Sequence, residues 1–240
     1  MLTVYRSNRA EWLATLLSEQ LRLEPPHPFE TVEVIVNTWP TSRWLGEKIA
    51  SVNGISTLIR FPFPGTRLRE LVRLILGLDE HSEDPWKSNQ LVWHILDVLP
   101  ELLKAKEAAP LKEWLKRPPH SQGQVNEEEW KLASKIASAF DDYALYRPDE
   151  IAQWLKHDKN KSLTNLGIEA HEIWQPLLLC HLSKRLDSEP FGIQVKRAVD
   201  QLKKGIPPAK DLPTHLHIFG LSSLAPVQVE LIQALSGLMN

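Results

Sequence analysis

Short β-branched or aromatic runs alternate with amphipathic helical segments at both ends of this chain. Leu2–Tyr5, Val32–Val36 and Ile55–Phe61 have the composition of strands, and a helical pattern follows each of them. The same unit returns near the other end, where His215–Phe219 precedes a helix predicted over Ala225–Leu235. Because strands that alternate with helices form parallel sheets covered by helices, the pattern predicts an α/β fold.

The middle of the chain differs, since nearly every segment there has helical periodicity. We therefore expect residues 1–80 to form the first part of an α/β domain and residues 81–206 to form an all-helical insertion. Residues 207–240 should return to the α/β domain. Because the sheet pattern resumes with a single strand–helix unit, we expect this sequence to be part of a longer polypeptide.

One stretch of the helical middle, Ile136–Leu155, predicts a helix, a sharp stop and a second helix. Pro148 disfavours the α conformation at the preceding residue, so the first helix should end near Tyr146. Pro148 also suits the first turn of the next helix. Two adjacent acids starting at Asp141, two tyrosines and Arg147 lie close together here. A buried helix corner seldom needs that much polarity, so we expect a binding partner at this corner, with a solvated corner as the alternative.

Composition excludes several classes of protein. The 240 residues carry a formal net charge of −2, so nucleic-acid binding would have to come from local patches. Cys180 is the single cysteine, which excludes an intrachain disulfide and zinc sites built on cysteine clusters. The N-terminus lacks the layout of a signal peptide, and no apolar run approaches the roughly 20 residues of a membrane span. We expect a cytosolic protein that does not enter a membrane.

The sequence also lacks the strings that accompany nucleotide chemistry. Neither the P-loop pattern G-x-x-x-x-G-K-[S/T] nor G-x-G-x-x-G occurs. His215 and His217 share one face of a predicted strand, but no third ligand is near them in sequence. Asp141 and Asp142 are neighbours on a helix and point about 100° apart, which hinders sharing one ion. We predict no catalytic residue, no metal and no cofactor.

The segment Arg60–Arg69 gives a positive indication of nucleic-acid binding. It combines three arginines with two aromatic residues on a proline-rich loop. It leaves the carboxyl end of a predicted strand, where open α/β sheets bind ligands. Arg60 and Phe63 could grip phosphate and stack on unpaired bases. The alternative is a solvated helix start with the phenylalanines in the core.

Several short motifs together resemble one protein family. They are the opening MLTVYRSNR, Trp44-Leu45, Phe61–Pro64, Trp93 with Leu99–Leu103, Phe140–Pro148 followed by Ala152–Trp154, Trp174–Pro176 and Ile218–Pro226. With these motifs the chain resembles the N-terminal part of the RecC family, the gamma chains of exodeoxyribonuclease V. The resemblance covers essentially all 240 residues, and the family's chains are several times longer.

The resemblance implies a superfamily 1 helicase-like motor domain that has lost its P-loop, with a helical insertion. It implies a non-catalytic subunit of the RecBCD-type helicase–nuclease, which acts in double-strand break repair by homologous recombination. Such a subunit holds the beta chain (RecB) and the alpha chain (RecD). It also guides single strands of the unwound duplex and scans one of them for the Chi sequence.

The resemblance also implies a set of positions along the strand channel. They are Asn37, Arg43, Phe63, Arg69, Asp141 and Arg147. Asp141 and Arg147 agree in type with the family pattern, whereas Arg43, Arg69 and Ser138 depart from it. The resemblance therefore does not imply which DNA sequence this chain recognises.

Two other functions stay open at this point. One is a subunit domain of an AddB-type ATP-dependent helicase or nuclease, for which ATP binding would be expected. The other is an unrelated α/β enzyme with a small-molecule site at the strand ends. Binding of a specific metabolite would distinguish that enzyme from a DNA-handling subunit.

Overall fold

The computed structural model describes residues 2–79, 82–115, 125–157 and 168–238. The chain is a mixed α/β protein, mostly helical, with a small parallel sheet of three strands. It divides into two compact units. Unit 1 comprises Met1–Glu80 with Arg197–Asn240, and unit 2 comprises His81–Lys196.

Unit 1 contains the sheet and the helices packed on it. Its elements in chain order are α1 (Ala10–Leu23), β1 (Val32–Val36), α2 (Trp39–Asn53), β2 (Ile59–Arg60), α3 (Pro64–Leu76), β3 (His217–Phe219) and α10 (Pro226–Leu235). Helix α9 (Phe191–Lys203) contains the division between the units. The predicted segment boundaries at residues 80 and 206 stay a prediction.

The three strands lie in the order β2-β1-β3 and are all parallel, which confirms the predicted parallel pairing. Val32 pairs with Ile59, and Val34 pairs with His217. β1 is the central strand and consists mostly of valine and isoleucine, which suit a strand covered on both faces. The buried core around the sheet comprises Ala14, Leu17, Val34, Val36, Leu45, Ile49 and Phe219.

The strand predictions need two corrections. Leu2–Tyr5 forms no strand; Leu2, Val4 and Tyr5 are exposed, and no strand among the described residues pairs with them. The strand predicted over Ile55–Phe61 is reduced to Ile59–Arg60, because Leu58 adopts a left-handed backbone with φ of 53°. A left-handed residue cannot continue an extended strand.

The described residues of unit 2 form helices joined by turns. Its elements are α4 (Ser88–Leu102), α5 (Ala109–Leu115), α6 (Glu127–Tyr146), α7 (Pro148–His157), α8 (Trp174–Leu186) and the first part of α9. Apolar residues repeat on one face of α4 at Leu91, Ile95 and Leu99, all fully buried. They share a core with the buried faces of α6 and α8.

Both ends of α6 follow from local sequence. At its start the Asn126 side chain accepts a hydrogen bond from the Glu129 amide, and the Glu129 carboxylate accepts one from the Asn126 amide. This reciprocal pair satisfies amides that have no partner within the helix. At its end the helix stops at Tyr146 and α7 begins at Pro148, so the predicted helix corner is confirmed.

Candidate nucleic-acid interface

The carboxyl ends of the three strands meet at one edge of the sheet, and each continues into a helix. β1 leads through Asn37 and Thr38 into α2, β2 leads through Phe61–Phe63 into α3, and β3 leads into α10. All three helices have a proline in their first two positions, where its fixed φ suits a helix start. Helix starts carry partial positive charge, so this edge, which we call the strand-end edge, favours anionic ligands.

An exposed aromatic pair lies at the strand-end edge. The Trp39 and Phe63 rings are 6.3 Å apart between centroids, with planes 79° apart. Trp39 is 75% exposed and Phe63 is 36% exposed, so both rings keep faces open to solvent. Trp39 follows β1 and Phe63 follows β2, and their contact joins two of the three loops. Aromatic rings held in this way can stack on unpaired bases.

Sequence reasoning identified Phe63 but missed Trp39. The available signal was a tryptophan directly after Thr38, whose side chain accepts a hydrogen bond from the Thr41 amide at the start of α2. A residue at the first position of a helix that leaves the carboxyl end of a strand lies at the ligand-binding edge of an α/β sheet. The large exposure of the Trp39 side chain, by contrast, is visible only in the folded chain.

The predicted site residues on β1 and α2 lie at or near this edge. Asn37 is exposed directly after β1. Arg43 lies one helical turn after Trp39 on the same face of α2. Its side chain is 84% exposed and makes a 3.3 Å ion pair with Glu47, another exposed residue. An exposed pair of this type is weak, so Arg43 can exchange Glu47 for a phosphate.

Arg60 was predicted to contact phosphate, but in the structure it lies between two acidic side chains. Its guanidinium lies 3.4 Å from the carboxylates of both Glu33 and Glu70. Arg67, which is buried, pairs with the same two acids at 2.5 Å and 2.9 Å. The four residues connect β1, β2 and the first half of α3. A DNA contact by Arg60 stays a prediction, and so does one by the half-buried Arg69 in α3.

The remaining predicted residues, Asp141 and Arg147, belong to the helix corner of unit 2. The Arg147 guanidinium lies 5.1 Å from the centre of the Tyr143 ring and 3.7 Å from the Glu150 carboxylate. The Tyr143 ring in turn contacts Phe140 and Trp154, each at 6.2 Å between centroids. These ring contacts hold the Tyr143 ring against which the guanidinium packs, while 59% of the Arg147 side chain remains exposed.

Helix α9 packs against the helix corner formed by α6 and α7. Gly192, the second residue of α9, packs against the Ala144 carbonyl of α6 and the Pro148 ring of α7. Lys196, one turn later, makes an ion pair with Asp149 of α7. Asp141 is half-buried and Tyr146 is 59% exposed at this corner. The corner is therefore a packed element with a polar outer surface.

The predicted residues thus fall into two groups, one in each unit. Among the described residues no group of three or more histidines, cysteines or acids could hold a metal ion. His217, in β3, has a pKa lowered by burial and, to a smaller degree, by the nearby His215. No described helix is both long and apolar enough to span a membrane.

Comparison with known proteins shows the family to which this chain belongs. The family model of the RecC N-terminal domain matches residues 2–240. The chain belongs to the RecC N-terminal domain family. The RecBCD enzyme subunit RecC of Haemophilus influenzae is 28% identical over 254 residues, covering 98% of this chain and 22% of the relative.

Two further members give the same picture. The RecBCD enzyme subunit RecC of Escherichia coli K12 is 27% identical over 240 residues, covering 98% of this chain and 20% of the relative. The protein of the same name from Mycolicibacterium smegmatis is 28% identical over 239 residues, with 98% and 20% covered. The chain spans about a fifth of the length of these relatives.

Proposed function

We propose that this chain is a DNA-guiding element of a RecBCD-type helicase–nuclease, acting in the cytoplasm in double-strand break repair by homologous recombination. In this proposal the α/β unit is a helicase motor-like domain that does no chemistry itself. The beta chain and the alpha chain of the complex carry the motor and nuclease activities. Membership in the RecC N-terminal domain family supports the proposal.

The observation that carries the proposal is the exposed Trp39–Phe63 pair at the strand-end edge. Bases are unpaired in a single strand, and their faces can stack on these rings. Arg43 lies on the Trp39 face of α2 and can contact the phosphate backbone. Asn37 can donate and accept hydrogen bonds to base edges. These groups together suit a single strand better than a duplex, whose base faces are covered.

The helix corner supplies a second proposed contact. Arg147, stacked on Tyr143, has a charged group that is held in place but exposed. Asp141, six residues before Arg147 on α6, would accept hydrogen bonds from exocyclic amino groups of bases. We further propose that the predicted contacts Arg60, Phe63 and Arg69 in unit 1, and separately this corner in unit 2, contribute to strand scanning, including any recognition of Chi.

The test is fluorescence anisotropy of a labelled single strand titrated with the protein at two salt concentrations. Stacking on an aromatic ring contributes about 1–3 kcal/mol per base, so Trp39→Ala should weaken binding roughly tenfold. Arg43→Ala should reduce the dependence of log K on log salt by about 0.7, the value for one phosphate contact on a single strand. The Trp39 variant should leave that slope unchanged.

A matched control is Trp12→Ala. Trp12 is 65% exposed on α1 of the same unit and contacts Arg9, but it lies on no strand-end loop. Equal losses in the Trp12 and Trp39 variants would mean that tryptophan removal acts through stability alone. Absence of binding by the parent protein at low salt would overturn the DNA-guiding role. Competition by an ATP analogue for single-strand binding would overturn the proposal that the motor-like domain has lost nucleotide binding.

A further inference from the structure

The two aromatic rings of the strand-end edge belong to separate segments of unit 1. Trp39 is the first residue of α2, which follows β1, whereas Phe63 directly precedes α3 and follows β2. The contact between the rings therefore depends on how β1 and the start of α3 are held together. β2 has two residues, so the backbone pairing between β1 and β2 is short.

A buried ion pair supplies a side-chain connection between these segments. The Arg67 Nε lies 2.5 Å from a carboxylate oxygen of Glu33, and each side chain is 10% exposed. Glu33 is in β1, six residues before Trp39. Arg67 is in the first turn of α3, and its amide donates a 3.0 Å hydrogen bond to the Phe63 carbonyl. The pair thus joins the strand that leads to one ring with the helix turn that follows the other.

The orientation of the Arg67 side chain is also set by a second carboxylate. Its Nη1 donates a 2.9 Å hydrogen bond to Glu70, three residues later on α3. The N–H donors of a guanidinium point in fixed directions, so contacts with two carboxylates determine where the group lies. Arg60 lies 3.4 Å from both acids, but its side chain is 53% exposed. The buried pair of Arg67 and Glu33 is therefore the better-defined connection.

Stability alone is a poor reason for a buried ion pair. Burial removes the hydration of both charges, and replacement by apolar residues of similar size is often neutral or stabilising. A buried charge pair can instead select one geometry, because its strength depends on close and directed contact. In this unit the selected geometry includes the 6.3 Å separation between the Trp39 and Phe63 ring centroids.

We propose that Arg67 and Glu33 are positioning residues of the strand-end edge, whose buried ion pair holds Phe63 beside Trp39 for an unpaired base. The inference rests on the proposed function, because its ligand is the same single strand. Neither Arg67 nor Glu33 touches that strand. The rings bind the base, and the ion pair keeps them at the separation that the base requires.

The first variant is Glu33→Gln, which keeps the size of the side chain and removes its charge. Fluorescence anisotropy of a labelled oligothymidine measures binding, and circular dichroism verifies that the variant is folded. Binding should weaken about fivefold, the lower end of the stacking contribution of one ring. A long-range electrostatic effect has the opposite sign, because the loss of a negative charge strengthens the attraction for phosphates.

The second variant replaces the whole pair, Glu33→Leu with Arg67→Met, and leaves the formal net charge unchanged. It should also weaken binding about fivefold without changing the slope of log K against log salt, which loss of a phosphate contact would reduce by about 0.7. In a Phe63→Ala background this further loss should disappear, because the pair acts through that ring. The matched control, Glu19→Leu with Arg22→Met, removes an exposed ion pair from α1 and should bind as the parent does.

Four outcomes in these variants would overturn the inference. They are parent-like or tighter binding by Glu33→Gln, a reduced salt slope in the double variant, full additivity with Phe63→Ala, and equal weakening by the α1 control. If Trp39→Ala weakened binding while the ion-pair variants did not, the positioning role alone would fail. Absence of binding by the parent would overturn the DNA-guiding role and this inference together.

Discussion

Gly192 is the residue whose substitution should most directly disturb the helix corner. A Cβ built on Gly192 would overlap the Ala144 carbonyl oxygen and would lie 2.9 Å from the Ala144 carbonyl carbon. It would also lie 3.0 Å from the Pro148 Cβ. Favourable carbon–carbon contacts are about 3.5–4.0 Å, and two of the three neighbouring atoms belong to backbone that cannot rotate away.

The magnitude follows from two opposing terms. Overpacking a tight site typically costs about 1–3 kcal/mol, and overlap with a carbonyl group places Gly192→Ala at the upper end of that range. Replacing glycine by alanine within a helix returns about 0.5–1 kcal/mol. We therefore expect Gly192→Ala to lower the free energy of unfolding by about 2 kcal/mol. For a unit of this size, that corresponds to a fall in Tm on the order of 5–10 °C.

The assay is urea unfolding followed by far-UV circular dichroism, with thermal melts beside it. Gly65→Ala is the matched control, because Gly65 also lies in the first turn of a helix but nothing lies within 4 Å of its built Cβ. That variant should be neutral or slightly stabilised. If Gly192→Ala were as stable as the parent, the close approach of α9 to the corner would be wrong.

Two further predictions concern unit 1. Burial lowers the pKa of His217 below its usual value of 6.5, so the stability gained from keeping it neutral is fully present above about pH 6.5 and is lost as the pH falls below it. The difference in urea midpoint between pH 7.5 and pH 5.5 should shrink in His217→Phe, and an unchanged difference would refute this. Arg67→Met removes the buried partner of Glu33, which is 10% exposed in its side chain, and should cost about 3 kcal/mol in urea unfolding. Adding Glu33→Leu should recover part of that loss, and no recovery would mean that the two charges are not coupled.

Local sequence signals predicted the elements whose cause is local. The β-branched run of β1 and the stop at Pro148 each follow from the residues themselves. The failures have causes that are remote in sequence or specific to the folded chain. A strand at Leu2–Tyr5 needs a pairing partner, and β2 is short because of the backbone at Leu58.

The candidate site shows the same limit. Arg60 has the composition of a phosphate contact in sequence, yet in the folded chain it lies beside Glu33, which is 27 residues away along the sequence. Gly192 approaches Ala144 across a still longer separation in sequence, so sequence alone gives no reason for a glycine there. Charge partners and close backbone approaches are set by tertiary packing, whereas periodicity and turn residues act locally.

The charged neighbours of an exposed tryptophan determine what it can bind, as Trp39 shows. Trp39 lies beside helix starts and one turn before Arg43, so an anionic ligand gains both stacking and charge there. Reversing the charge should therefore weaken the preference: Arg43→Glu should lower single-strand affinity by more than Arg43→Ala does, because a carboxylate repels the phosphates that the arginine attracts. The same anisotropy titration at low salt measures the difference. If the two variants bound single strands equally, ring exposure rather than charge would determine binding at this edge.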